Sequence, residues 1–197
     1  MRMSRWQPDA RERLERAALE LFTEHGFTET TVPQITAKAG LTTRTFFRYF
    51  ADKREVLFSN DEEAAELAAR MIAEAPAHLS PMEIIAGGLE QVAASQFGGD
   101  VETYTTRKAI INSDTGLRER EMRKMSALSD ALHDGFVARG VDELTASLAA
   151  HATTTVFGIS IGRWLESDGS EPLPEILRET LDAFRAFMAQ PHAAPQS

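Results

Sequence analysis

The sequence predicts an all-α fold of about nine helices: a three-helix N-terminal head followed by a longer helical bundle. Three observations predict it. Apolar residues recur at helical spacing along nearly the whole chain. Start and stop signals punctuate those stripes. No segment alternates as a half-buried strand would, and even Thr153 to Phe157, rich in β-formers, sits inside a longer helical period.

The first helix carries Leu14, Ala17, Ala18, Leu21 and Phe22 at i, i+3, i+4, i+7 and i+8, one apolar stripe of an amphipathic helix. Asp9 with Glu12 three residues on reads as its capping box, and Gly26 takes the left-handed position that ends it. A second helix of about two turns opens at Thr31 with Gln34 at N3, closes at Gly40, and turns Val32, Ile35 and Ala39 to one side. Thr42 caps a third, Thr43 to Phe50, whose Phe46 and Phe50 lie four apart. Two short helices flanking a turn with a glycine form a helix-turn-helix. The first helix is the apolar shelf they share.

Asp52 and Glu55 start a helix that runs to Ala75 and ends at Pro76. Ser80, Pro81 and Glu83 open the next with cap, N1 proline and N3 acid, and Gly98-Gly99 stops it. Further helical stretches are 101–112, 117–139, 142–167 (Leu144, Leu148, Thr155, Ile159) and 174–189 (Ile176, Leu177, Leu181, Phe184, Met188). The expected organisation is a helix-turn-helix head over 1–55, a helical body over 56–190, and a disordered tail over 191–197.

Composition narrows the function. The 197 residues include no cysteine, which excludes a disulfide framework, a thiol nucleophile and Cys-ligated zinc or iron–sulfur centres, and fits the cytoplasm. No secretory leader opens the chain, and no run of about 18 residues is apolar throughout, so no membrane span is expected. The net charge of −9 is uneven: residues 1–58 hold ten Lys and Arg against eight acids, +2, and the rest hold eleven against 22, −11. A polyanion would meet this chain head first.

No Gly-x-Ser-x-Gly elbow, P-loop or Gly-x-Gly-x-x-Gly is present, and the five histidines form no metal-ligand pair. No enzyme, metal or cofactor is therefore expected. On the third helix Thr43, Arg44, Thr45 and Arg48 face away from Phe46 and Phe50. Arg suits guanine O6 and N7, and Thr offers a hydroxyl with a methyl for thymine. Thr31 and Thr42 at helix N-termini, with Tyr49 and Lys53, suit phosphates. Gly158, Ser160 and Gly162 read as one small-residue face that lets another helix approach.

The stretch Phe22-Thr-Glu-His-Gly-Phe27, Thr30-Thr31-Val32, Ile35, Ala39-Gly40-Leu41-Thr42, Phe46-Phe-Arg-Tyr-Phe50, Lys53 and Leu57-Phe58 resembles the DNA-binding head of the tetracycline-repressor (TetR) family. The resemblance implies a homodimeric transcriptional regulator, usually a repressor, whose third helix enters the major groove of double-stranded DNA at each half of a near-palindromic operator. Phe47 departs from the family, where many members carry a phosphate-bonding Tyr; it packs against sugar or methyl groups, or belongs to the core. Arg2 and Arg5 add an arm on the DNA backbone. The resemblance also implies a small-molecule effector in the body, hydrophobic or amphiphilic, with Phe97, Tyr104, Arg107, Ile111, Met125, Phe136, His151 and Phe157 on inward stripes as candidate contacts. Helices 142–167 and 174–189 then form the dimer interface, the alternative being that they are internal core. The run from Gly162 to Leu181 is similar to an actinobacterial subgroup that includes the mycofactocin regulator, which implies an acyl-CoA-type effector. Two other readings compete: an all-helical small-molecule carrier or enzyme with a vestigial helix-turn-helix, and a DNA-binding dimer without effector.

Overall fold

The computed structural model describes residues 10–58, 61–96 and 101–189. Asp9, Phe97, Gly98-Gly99, the arginines at 2 and 5 and the tail lie outside them. Every regular element among the described residues is a helix: α1 Ala10–His25, α2 Val32–Ala39, α3 Thr43–Tyr49, α4 Glu55–Phe58, α5 Asp61–Glu74, α6 Pro81–Gln96, α7 Val101–Ser113, α8 Thr115–Ala138, α9 Glu143–Glu166 and α10 Leu173–Ala189. Of the helix expected from Asp52 to Ala75, the described residues carry α4 and α5. α8 begins two residues earlier than its apolar stripe suggests, because Asp114 Oδ1 accepts the Leu117 amide at 3.0 Å and caps it.

The chain divides into two compact units, one drawn from Met1–Glu62 and Thr103–Lys124, the other from Glu63–Glu102 and Met125–Ser197. The first therefore reaches beyond a cut at residue 55. Its core joins the expected stripe of α1 to Phe27, Ile35, Phe46, Phe50, Val56 and Leu57, and adds Ile110 and Ile111 from α7 and Leu117 from α8. Each Leu, Ile, Val or Phe side chain among them, fully buried, contributes roughly 1.5–3 kcal/mol. Phe22 packs on Phe27 with ring centroids 5.1 Å apart, and Phe46 on Phe50 at 5.3 Å. Ile111, expected at a ligand, is thus part of this interior. Glu55 at the start of α4 is gripped by Arg120 and by Lys124, at 3.5 Å, both on α8.

In the second unit α9 and α10 pack on each other and both on α6. The buried side of α9 is Ala146, Ala149, Ala150, Val156, Ser160 and Trp164. That reverses the expected stripe: Leu144, Leu148 and Ile159 are 70%, 61% and 52% exposed. Periodicity identifies two opposite faces, and the alanine face is the one that lets neighbouring backbones come close. Ser160 is buried while Gly158 is exposed, so the three small residues do not share a face; two positions along a helix are about 200° apart. By length and composition α9 is apolar enough to cross a membrane, with a mean hydropathy of 1.3 over an 18-residue window. The expectation of no such segment missed it because Thr and Ser interrupt the stretch without charging it. At the turn after α9, Gly169 has φ +70° and a Cβ there would lie 2.5 Å from Val101 Cγ2. Only glycine fits both demands.

Candidate nucleic-acid interface

The turn between α2 and α3 is built by its sequence. Gln34 Oε1 accepts from the Thr31 amide at 2.7 Å and from its hydroxyl at 2.8 Å, closing the start of α2. Gly40 adopts φ 64°, with Gly40 N donating to Ala37 O at 3.1 Å and Leu41 N to Thr36 O at 2.8 Å, the paired bonds of a left-handed helix stop. Arg13 Nη2 reaches from α1 to Ala39 O at 2.6 Å and sits where a Cβ on Gly40 would press. Thr42 Oγ1 then accepts the Thr45 amide at 3.2 Å and opens α3.

α3 is anchored by Phe46 and Phe50, both buried, and turns Thr43, Arg44, Phe47 and Arg48 outward. Thr45 is half-buried, its hydroxyl 3.0 Å from that of Thr42. Arg44 has no hydrogen-bonding or ionic partner among the described residues. Arg48 Nη2 donates to Tyr49 Oη at 2.9 Å and its guanidinium lies 4.7 Å over the Tyr49 ring. That pairing leaves its charge unneutralised and holds two candidate contacts as one. Phe47 is 58% exposed, its ring edge-on to Phe46 at 5.5 Å, which removes the core alternative for it.

Lys53 is placed otherwise than expected. Its ammonium donates to Phe27 O at 2.7 Å, Thr28 O at 3.1 Å and Thr30 O at 2.8 Å, and lies 4.4 Å from the Phe27 ring. Burial, with the Arg54 charge second, lowers its pKa. An ammonium has three donors, and here three carbonyls take them, so Lys53 ties down the α1–α2 loop instead of contacting a phosphate. Lys38 is likewise engaged, by Glu20 at 3.0 Å and Glu24 at 3.3 Å. Arg16 is exposed with no partner among the described residues, and the sequence does not single it out, because every outward residue of the first two turns of α1 beyond Ala10 is charged.

The eight candidate ligand contacts are divided between the two units. Tyr104, Arg107 and Ile111 belong to the first unit, Met125, Phe136, His151 and Phe157 to the second, and Phe97 lies outside the described residues. Phe136 is core. His151 is exposed, its Nδ1 2.8 Å from Ser147 O of its own helix, because it lies on the outward stripe of α9. Within the second unit, α5 and α6 instead border a cleft of about 520 Å³, lined in part by Leu67, Arg70, Met71, Ile84 and Gly87. The signal for it is the Gly87-Gly88 pair in mid-helix, an arrangement that costs roughly 1 kcal/mol per glycine against alanine. Gly88 faces Met71, where a Cβ would lie 3.3 Å from Cε, and Gly87 faces open space.

Residues 15–59 match the family described as "Bacterial regulatory proteins, tetR family". The chain is 30% identical over 138 residues to the HTH-type transcriptional regulator TcmR of Streptomyces glaucescens, covering 67% of this chain and 61% of that protein's length. The structure resembles the transcriptional regulator FadR of Bacillus subtilis in complex with stearoyl-CoA, with a TM-score of 0.58, 19% identity, and 87% and 95% of the two chains covered. It also resembles Thermus thermophilus FadR in complex with lauroyl-CoA, with a TM-score of 0.55, 22% identity, and 95% and 100% covered. Residues 15–59 thus match the tetR family over the helix-turn-helix, and the all-helical fold of the chain is that of the two FadR regulators.

Proposed function

We propose that the protein is a cytoplasmic transcriptional regulator that binds a near-palindromic operator as a homodimer and is released by a small amphiphilic effector. The observation that carries this reading is the outward side of α3. Arg44 and Arg48 stand there with no carboxylate among the described residues to neutralise them, on an otherwise acidic chain, while Lys38 is internally matched. Arg44 takes the base-reading role, Thr43 and Thr45 the neighbouring bases, and Thr31, Thr42 and Tyr49 the phosphates that fix register. Phe47, exposed beside them, packs on sugar or thymine methyl.

A second copy of the chain, and not lipid, covers the outward stripe of α9 together with α10, where Phe187 and Met188 are also exposed. His151 and Thr155 lie on that stripe, which suits a protein interface better than hydrocarbon. The pair sets the two α3 helices about 34–36 Å apart, one turn of duplex, to read successive major grooves. An effector that fits only another spacing shifts the population away from the operator-competent state, and operator and effector weaken each other reciprocally. The effector class follows the acyl-CoA thioesters bound by the two FadR proteins.

Fluorescence anisotropy with selected genomic DNA tests this. A selected near-palindrome, with affinity falling steeply as salt rises and recovering when lauroyl-CoA is removed, is the expected result. Absent or salt-insensitive binding favours the carrier reading instead, and salt-dependent binding with no response to amphiphiles favours a regulator without effector.

A further inference from the structure

Six described arginines are neither exposed nor fully buried, and five of them donate to a carboxylate or carbonyl: Arg11, Arg13, Arg120, Arg139 and Arg163. The sixth, Arg107 on α7, makes no hydrogen bond or ion pair, and its Nε is shut away from solvent without an acceptor. Its neighbour Lys108 is matched by Glu121 at 2.7 Å, so α7 does not lack access to acids in general. A desolvated N–H left unpaired on a permanent cation is unfavourable, and such groups are rare in folded proteins. Tyr104 lies one turn away and senses the same charge: burial raises the pKa of its phenol and Arg107 opposes the rise.

We infer that Arg107 is the anchoring cation for an anionic group on the effector, a carboxylate or a phosphate, with Nε–H as one of the donors and the Tyr104 side of α7 beside it. The inference rests on the effector-released reading above. It also supplies a route to the head. Arg107 precedes Ile110 and Ile111 by three and four residues, and those two are buried in the same core as Leu14, Phe22 and Ile35. A ligand that draws the guanidinium toward its charge therefore acts on a helix that is itself part of the head's interior.

The full-length protein and Arg107→Met are compared by thermal melting without ligand, and by calorimetric titration with laurate, lauroyl-CoA and uncharged dodecanol. Arg107→Met keeps the aliphatic stem and removes the charge, so it is expected to melt no lower than the wild type. Its affinity for at least one anionic amphiphile falls about tenfold or more, dodecanol binding is unchanged, and Arg107→Lys recovers part of the loss. Loss confined to laurate assigns a carboxylate; loss confined to lauroyl-CoA assigns a phosphate. Equal binding of the anionic amphiphiles to both proteins, no preference of the wild type for them over dodecanol, or a variant that melts several degrees lower overturns the proposal. Operator affinity measured on the same samples separates the two readings: an anion held by Arg107 with no change in operator binding keeps this site and removes the effector role.

Discussion

The outward sides of α3 and α9 are both open to solvent, and they differ in what they lack. On α3 the deficit is negative charge: Arg44 and Arg48 stand unneutralised above a well-anchored aromatic side. On α9 it is apolar cover, since Leu144, Leu148 and Ile159 are bare while alanines fill the inner side. A cation without a counter-charge is completed by a polyanion, and an apolar stripe by another apolar surface. The kind of incompleteness names the class of partner more directly than the degree of exposure does.

Breaking the α9 side is expected to have the largest effect. Leu148→Glu places a charge on the proposed interface; the protein runs as a monomer in light scattering, and operator affinity falls by about 10²–10⁴-fold as the two heads cease to bind together. Next comes the internal frame of the head. Glu55→Ala strands Arg120 and takes the carboxylate from Lys124, which keeps its bond to Phe58 O at 3.2 Å, in a setting where all three side chains are less than one-third exposed, and urea unfolding is expected to show a loss of about 3 kcal/mol. Arg44→Ala sharpens the α3 side of the comparison: discrimination between operator and mismatched duplexes drops by about 1–3 kcal/mol at the base it reads, with thermal stability unchanged.

Lys53→Ala separates the two meanings of a basic residue in the head. It is expected to lower stability by about 1–3 kcal/mol, since three carbonyls lose their donor, and to leave the salt dependence of operator binding unaltered. The smallest effect belongs to His133, whose pKa is raised chiefly by its hydrogen bond to Asp134 at 3.1 Å, with Glu143 adding to it. Being raised, it favours the folded state fully at pH below the ordinary value of 6.5, and that contribution disappears as pH climbs through the folded value. His133→Gln is expected to flatten this shallow slope in melts across pH 5 to about 8.

The helix-turn-helix was legible because its determinants are local. Thr31 with Gln34, Gly40 and Thr42 each act on backbone groups within about three residues, and Phe46 and Phe50 announce their shared side by spacing. Three features were not legible, for one reason: each depends on residues distant in sequence. Lys53 reads as a surface cation until the carbonyls of Phe27, Thr28 and Thr30 fold around it. α9 has two candidate inner sides, and only the close approach of α6 and α10 selects the alanines. Ile111 looked like a wall for a ligand because nothing near it in sequence points to the head.

The membership of Ile110, Ile111 and Leu117 in the head's core bears on how such a regulator can be taken apart. A truncation after Phe58 would delete three plugs from its own hydrophobic interior and leave voids where they sat. Chimeras that exchange operator preference between relatives would have to carry the segment from Thr103 to Lys124 along with the N-terminal helices, so that the transplanted module arrives with its floor.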